Sequence, residues 1–324
     1  MATIAPQRWL NFLQTEYLES FIKDGGASVK FAVPLEEELR GAVEQGVRQR
    51  GQQTGFIATR VSSANTRVHM IDQLFFRVAE QVPWRQLSQA VIVKLAREAG
   101  YAAPSGESSE PLGHRLAAAN SISPETFIGE ARPWIENRIL KQRSLAKDFR
   151  VAVGGICFAE LSGGPDGETR IEVVTDWLTG RNKAISAVKP YQIFSRITRS
   201  NARHLLESLL LWIRFAGYSG IVIVLDISRV TIARNPRDDL IYYTKAAMLD
   251  AYEVLRQFID STDRMKGCLL VVTPSQEFLD IESEGRGMGA YDALKFRVYD
   301  EVRDERLVNP MGALVRVSSE GSIA

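Results

Sequence analysis

The chain has 324 residues, of which 45% are apolar and 24% are charged, as in ordinary globular proteins. Forty basic and 39 acidic side chains leave a net charge of +1, which excludes a general electrostatic attraction to nucleic acid or membrane. The two cysteines, Cys157 and Cys268, have no CxxC spacing, which indicates reduced thiols. The sequence predicts neither a secretory signal nor a membrane span, so we expect a cytoplasmic location of bacterial type.

The first quarter of the chain alternates between helix and strand patterns. Apolar spacing predicts a helix over 8–23, a buried strand over 29–33 and a helix that begins at Pro34. A second strand over 56–61 and a helix over 66–82 follow. This order indicates a parallel sheet covered by helices.

The rest of the sequence predicts a helical insertion and then the return of the sheet. Helical patterns dominate between about 85 and 205, with a basic helix over 132–150 and loop-like compositions at 103–111 and 161–168. After a further helix, the predicted elements are a strand over 221–226, a helix over 239–262, a strand over 268–274, a helix over 290–304 and a strand over 313–319.

We therefore predict an α/β core interrupted by one large insertion. The N-terminal half of the core spans 1–84, the mainly helical insertion spans 85–204, and the C-terminal half of the core spans 205–324.

Two apolar strands that end in polar residues carry the candidate chemistry of this core. GIVIVLD ends at Asp226, and GCLLVVTPS contains Thr273 and Ser275 at its end. In P-loop NTPases this layout places the Walker B carboxylate beside a polar sensor residue, next to magnesium and the γ-phosphate. Buried strands of any doubly wound fold that end at polar loops would give the same pattern.

The order of several segments along the chain resembles one family in particular. The segments are 201–230, 251–260, 267–280, 290–298 and 309–317, together with VKFAV, QTGFIATRVSSANTRVHMIDQLFFRVAEQV and VTDWLTGR. They resemble the P-loop ATP-binding proteins found in BREX-type phage-defence gene clusters, over nearly the whole chain. The resemblance implies an AAA-like P-loop NTPase fold and a place in a phage-defence or DNA-targeting system.

The segment after VKFAV departs from what this resemblance implies. The family should carry a GxxGxGK[ST] phosphate loop there, whose amides, lysine and hydroxyl hold phosphates and Mg²⁺. This chain has PLEEELR at 34–40, with three carboxylates and no lysine or hydroxyl. Ile227 stands where a catalytic glutamate would follow Asp226. We therefore predict a degenerate, non-hydrolysing site with no catalytic residue and no cofactor. Its vestigial nucleotide-binding candidates are Asp226, Thr273 and Ser275.

A second candidate is the basic stretch 177–206, which contains no acidic residue. A basic surface with interleaved aromatic side chains suits phosphate contact and base stacking. The alternative is a solvated face, or one paired with acids elsewhere such as residues 36–38. The DNA-binding candidates are Arg181, Lys183, Lys189, Arg196, Arg199, Arg203, Tyr191 and Phe194.

Two arginines near the C-terminus are candidates for trans-acting contacts in an oligomer. These are Arg286 and Arg297, for which a surface or helix-packing role is the alternative. The glycine-rich segment 284–291 does not follow a strand as a phosphate loop does, so we interpret it as a flexible loop. The three histidines are scattered and predict no metal site.

Three functions remain open from the sequence. The first is a non-hydrolysing assembly subunit that docks other defence-system proteins, including a homologue with an intact site, and contacts DNA. The second is an ATP-dependent motor subunit that uses Mg-ATP on DNA. The third is a protein–protein scaffold without DNA contact.

Overall fold

The computed structural model describes residues 2–104, 106, 110–282, 285–299 and 308–320. The chain forms two compact units. We call Met1–Val78 with Tyr218–Ala324 the sheet unit, and Ala79–Gly217 the helical unit.

The sheet unit is built on five parallel strands. In chain order these are β1 (Ala27–Pro34), β2 (Phe56–Ser62), β3 (Gly220–Asp226), β4 (Cys268–Thr273) and β5 (Leu314–Val317). Their order across the sheet is β2-β3-β4-β1-β5, and every pair is parallel. The predicted fold class, a parallel α/β sheet flanked by helices, is confirmed.

The helices follow in chain order. They are α1 (Pro6–Phe12), which continues as a π-helical segment over Leu13–Phe21, α2 (Glu37–Gln53), α3 (Ile71–Ala79), α4 (Trp84–Glu98), α5 (Leu112–Ala119), α6 (Pro124–Ile135), α7 (Lys147–Ser162), α8 (Gly164–Thr179), α9 (Ile185–Val188), α10 (Ala202–Phe215), α11 (Lys245–Asp260) and α12 (Asp292–Val298). Within the described part of the chain, no helix combines the length and apolarity that crossing a membrane requires.

The strands form the core of the sheet unit because central parallel strands are buried on both faces and their sequences are continuously apolar. On one face of the sheet, α1, its π-helical continuation and α2 pack through Trp9, Leu13, Val43 and Val47 onto Val222, Val224, Leu269 and Val271. On the opposite face Phe31 stacks on Phe278 at 5.5 Å between ring centroids. Tyr252 of α11 packs edge-on against Phe278 at 5.7 Å.

Three predicted helix starts in the sheet unit are wrong, and contacts with residues distant in the sequence explain the first two. Pro34 ends β1 opposite Val317, and the next amide also bonds to Val317, so the chain stays extended until α2 begins at Glu37. The predicted helix 66–82 is shortened to α3 because the buried Tyr243 hydroxyl bonds to backbone groups of Thr66 and Val68. The helix predicted over 239–262 begins only at Lys245.

The predicted helical character of the insertion is observed, but two details are wrong. The loop expected over 161–168 reduces to Gly163 alone, whose φ of +64° lets α7 end and α8 begin within one residue. The basic helix expected over 132–150 is broken, because α6 passes into a π-helical turn after Ile135 and α7 starts at Lys147. Parts of two predictions, the loop 103–111 and the helix 290–304, lie outside the described residues.

Candidate functional site

Three polar side chains meet at the carboxyl edge of the sheet. In the strand register Asp226 lies opposite Thr273 on β4 and opposite Ser62 on β2. The predicted adjacency of the ends of the two apolar strands is therefore observed. Ser62 is an addition that sequence reasoning missed.

Asp226 is only 5% exposed and has four partners. Its Oδ2 accepts a hydrogen bond from Ser62 Oγ at 2.7 Å and lies 3.4 Å from Arg60 Nη2. Its Oδ1 accepts from the amide of Ser228 at 2.9 Å and lies 3.8 Å from Arg40 Nη1. A buried carboxylate needs such compensation, and here protein groups supply all of it.

Arg40 brings a second buried charge to this edge from the first turn of α2. Its Nη1 donates to the backbone carbonyls of Thr273 and Pro274 at 2.9 and 3.1 Å. Its Nε and Nη2 form a two-bond pair with Glu37 at 2.6 and 2.8 Å. Burial by itself would lower the pKa of Arg40, but Glu37, Asp226 and Glu44 raise it above its ordinary value.

Glu44 lies one turn further along α2 and is 3% exposed. Its Oε2 accepts from Arg60 Nε at 2.6 Å, and its Oε1 accepts from Thr273 Oγ1 at 2.7 Å. Acidic and basic groups therefore alternate across the strand ends, each one hydrogen-bonded to or ion-paired with the next. We call this set the polar network; its members are Arg40, Glu44, Arg60, Ser62, Asp226 and Thr273.

Sequence reasoning missed Arg40, Glu44 and Arg60, although α2 carries a signal for two of them. The buried stripe of α2 runs through positions 40, 43, 44, 47 and 51 at helical spacing. Two charged residues on such a stripe indicate a buried ionic contact, because unpaired charges are almost never fully buried.

Two of the three carboxylates at 36–38, those of Glu36 and Glu37, bond to nearby groups of the sheet unit. Glu36 accepts hydrogen bonds from Ser318 Oγ at 2.7 Å and from the amide of Ser319 at 3.1 Å, which lower the pKa of Glu36. Glu37 pairs with Arg40. Within the described residues, these contacts lie in the sheet unit rather than on the basic stretch that we considered as their partner.

The remaining predicted residues of the sheet unit are engaged in local contacts. Ser275 Oγ lies 2.5 Å from Thr231 Oγ1 and is separate from the polar network. Arg286 Nη2 donates to the carbonyls of Val230 and Tyr243 at 2.9 and 2.6 Å. Arg297 forms a two-bond pair with Asp260 at 2.5 and 3.0 Å.

The glycine-rich segment is held by close backbone contacts where it is described. A Cβ at Gly287 would lie 2.4 Å from the Asp280 carbonyl oxygen, and one at Gly289 would lie 2.6 Å from the Ile281 backbone. Residues 283 and 284 lie outside the described residues. Gly287 and Gly289 therefore allow close backbone packing.

A family model described as BREX system ATP-binding protein BrxC/D matches residues 115–319, more than half of the chain. The chain belongs to this family. No curated protein and no solved structure gives a match. The match includes β3, β4 and β5 but not β1, α2 or β2. The segment 34–40 and four members of the polar network, Arg40, Glu44, Arg60 and Ser62, therefore lie outside it.

The basic stretch of this BREX-family chain lies in the helical unit, between α8 and α10. Arg181, Lys183, Lys189, Phe194, Arg196 and Arg199 are exposed, and Tyr191 and Arg203 are half-buried. Arg181 pairs with Asp176 at 3.1 Å, and Arg170 lies over the Tyr191 ring at 5.3 Å. The structure thus brings five of the six cations and Phe194 to the surface between α8 and α10, whereas Arg203 is half-buried on α10.

The helical unit also contains a groove of about 680 Å³ that the sequence did not indicate. Arg85 lines it and bonds to Glu160 and Glu168 at 2.7 and 2.6 Å. No group of three or more histidine, cysteine or acidic side chains is arranged to hold a metal among the residues that the structure describes.

Proposed function

We propose that this chain is a non-hydrolysing member of the BREX ATP-binding family, which acts as an assembly subunit with other defence-system proteins. Membership of the BREX system implies association with such proteins. The observation that carries the proposal is the polar network, because it occupies the carboxyl edge of the sheet where a P-loop protein holds phosphate and Mg²⁺.

The residues at this edge do not fit Mg-ATP. Arg40 is the nearest substitute for the missing lysine, but its donors bond to Glu37 and to two backbone carbonyls. Asp226 could bind Mg²⁺ only after it separates from Arg40 and Arg60. Breaking a buried ion pair costs about 3–5 kcal/mol. Nucleotide affinity would therefore fall by roughly 10²- to 10⁴-fold relative to an open site.

The segment before α2 opposes a polyphosphate as well. Pro34 has no amide hydrogen to donate, and the helix start carries three carboxylates at 36–38. A helix N-terminus favours anions, but here these side chains already provide the negative charge. Ile227 is fully buried and has no group that could orient water. This chemistry supports a structural role over the alternative of an ATP-driven motor.

Isothermal titration of Mg-ATP into the full chain tests the nucleotide part of the proposal. We expect no saturable binding at micromolar nucleotide, because the network must open first. Asp263→Asn, which changes an exposed carboxylate of the sheet unit, is the matched control for Asp226→Asn. Micromolar binding that Asp226→Asn abolishes and Asp263→Asn preserves would overturn the proposal and favour the motor.

The assembly role is tested by co-expression with proteins encoded in the same defence cluster. We expect a stable complex by size-exclusion chromatography, including one with a family member that carries an intact GxxGxGK[ST] loop. That complex should hydrolyse ATP. Asp226→Asn in this chain should leave the rate unchanged at temperatures at which circular dichroism shows that the variant is folded. Absence of a complex with every co-encoded protein would contradict the role.

DNA contact through the basic stretch is a second candidate function, and the surface position of its cations favours it. Fluorescence anisotropy should detect DNA binding that weakens as salt increases, because the affinity comes from phosphate contacts and counterion release. Charge reversal at Arg196 and Arg199 should reduce it. If the chain does not bind DNA at low salt, the scaffold without DNA contact is favoured.

A further inference from the structure

The basic stretch contains an aromatic side chain that packing alone does not explain. Phe194 is 57% exposed, whereas its apolar neighbours in the sequence, Ile193 and Ile197, are buried. An exposed phenylalanine forgoes much of the free energy that burial would contribute. Arg196 and Arg199 follow it closely in the sequence and are also exposed. The combination of an open aromatic face and adjacent cations is typical of surfaces on which bases stack.

The segment that carries Phe194 is anchored on both sides. Ile193 is fully buried immediately before it, and Ile197 is buried three residues after it. Between them, Trp177 Nε1 donates to the Ser195 carbonyl at 3.1 Å, and the Ser195 amide donates to Asp148 Oδ2 at 3.2 Å. The backbone that carries the Phe194 ring is therefore held in place before a ligand binds, so binding a ligand there costs little conformational entropy of the backbone.

The charges around the segment favour a polyanion. Six cations and no acidic residue lie within 177–206. Acidic side chains that contact the stretch are themselves engaged: Asp148 accepts from Ser195, Asp176 pairs with Arg181, and Glu207 lies 3.6 Å from His204. Arg196 and Arg199 follow Phe194 by two and five residues and are exposed, so they are the candidates for contacts with the phosphates beside a base that stacks on Phe194.

We infer that the segment from Lys189 to Arg203 binds single-stranded nucleic acid, with an unpaired base stacked on Phe194 and phosphates on Arg196 and Arg199. This inference rests on the proposed nucleic-acid contact of the basic stretch and narrows that contact to single strands, of DNA or of RNA. Bases within a duplex are stacked on one another, so their faces cannot reach an exposed ring, whereas single strands offer every base face. Stacking has little sequence preference, so the recognition is of the strand rather than of its sequence.

The test compares fluorescently labelled dT20, rU20 and a blunt 20-base-pair duplex by anisotropy with the full chain. We expect the duplex to bind at least tenfold more weakly than one or both single strands. A preference for dT20 or for rU20 identifies which kind of single strand the surface takes. Equal or tighter binding of the duplex would overturn the inference while leaving DNA contact intact, and no binding of any probe would overturn both.

Variants at Phe194 separate stacking from charge. Phe194→Ala should weaken dT20 binding by roughly 5- to 150-fold, the range for loss of one base–aromatic stack, and leave duplex binding unchanged. Phe194→Trp should retain dT20 binding. Phe296→Ala is the matched control, because Phe296 is 68% exposed and lies on α12 in the sheet unit. Equal binding by Phe194→Ala and wild type would contradict the stacking role.

Variants at the arginines test the phosphate contacts through salt dependence. Arg196→Ala and Arg199→Ala should each reduce the slope of log affinity against log salt by about 0.7 for a single strand. Phe194→Ala should leave that slope unchanged while lowering the affinity. A parallel loss of slope in all three variants would indicate local unfolding instead and would refute the division of roles.

Discussion

Removing the Arg40 guanidinium should destabilise the sheet unit more than removing the Arg50 guanidinium from the same helix. Arg40→Met keeps a side chain of similar length but removes the donors to the Thr273 and Pro274 carbonyls. It also removes one of the two cations beside Asp226. Breaking a buried pair from one side costs about 3–5 kcal/mol, and the remaining Arg60 reduces the loss toward the lower value.

The predicted loss is therefore about 3 kcal/mol, which corresponds to a fall in melting temperature of roughly 6–12 °C for a unit of this size. Circular dichroism on heating measures it. Arg50→Met is the matched control on the same helix, since Arg50 bonds to Gln14 and Asn11 near the surface and should cost below about 1 kcal/mol. Equal melting temperatures for the two variants would refute the view that the network stabilises the carboxyl edge.

A double variant sharpens this prediction. Arg40→Met combined with Asp226→Asn removes the cation together with the carboxylate that needs it. Because the cost of a broken pair comes largely from the charge left behind, the double variant should lose less than the two single losses together, by at least about 1 kcal/mol. Additive losses would show that Arg40 and Asp226 act independently.

Three further predictions follow from burial and backbone geometry. Burial raises the pKa of each cysteine to about 12, so Cys157 and Cys268 should react with Ellman's reagent at pH 8 only as fast as the chain opens, and rapid stoichiometric labelling would contradict this. Burial lowers the pKa of Lys30 to about 8, so the folded state binds this proton less well than the unfolded state. The cost of burying the charged Lys30 is therefore complete below pH 8 and is relieved between pH 8 and 10.5. Across that range the free energy of unfolding of the wild type, measured by urea melts, should rise relative to that of Lys30→Met by up to about 1.4 kcal/mol per pH unit. A difference that does not change with pH would contradict this titration. Gly220→Ala should lower the free energy of unfolding in urea melts by more than about 2 kcal/mol, because the new Cβ would lie 2.0 Å from the Gly267 carbonyl oxygen. Gly41→Ala on α2 is the control, because its Cβ would meet open space and the change should be neutral or stabilising. Similar unfolding free energies for the two variants would contradict the clash.

The α/β class was predictable because its signal is repeated along the chain. The apolar runs that became β1 to β4 are too short for helices and are separated by helical patterns, which indicates a parallel sheet. The helix starts were less predictable, because distant residues determine them. Tyr243 lies far along the chain from Thr66. Its hydroxyl donates a hydrogen bond to the Thr66 carbonyl, which prevents α3 from starting earlier.

The candidate site was predictable only in part, for a similar reason. Asp226 and Thr273 stand at the ends of recognisable strands, so their adjacency follows from the pattern. Arg60 alternates along β2 like an ordinary edge-strand residue, and only the fold brings it to Glu44 and Asp226. A pairing between elements far apart in the sequence leaves no local spacing that could reveal it.

Asp226 can persist at this strand end without a nucleotide, under the proposed function. Once Arg40 and Arg60 lie against the sheet edge, loss of the carboxylate would leave two cations with one fewer buried partner, at a cost of several kcal/mol. The network therefore favours retention of an acidic residue here through folding stability alone. A carboxylate that ends a buried strand next to a polar residue indicates a nucleotide site only when the groups facing it leave its oxygens open to Mg²⁺. In this chain both carboxylate oxygens of Asp226 face arginines, and these ion pairs are better evidence for the role of the carboxyl edge of the sheet than the strand motif is.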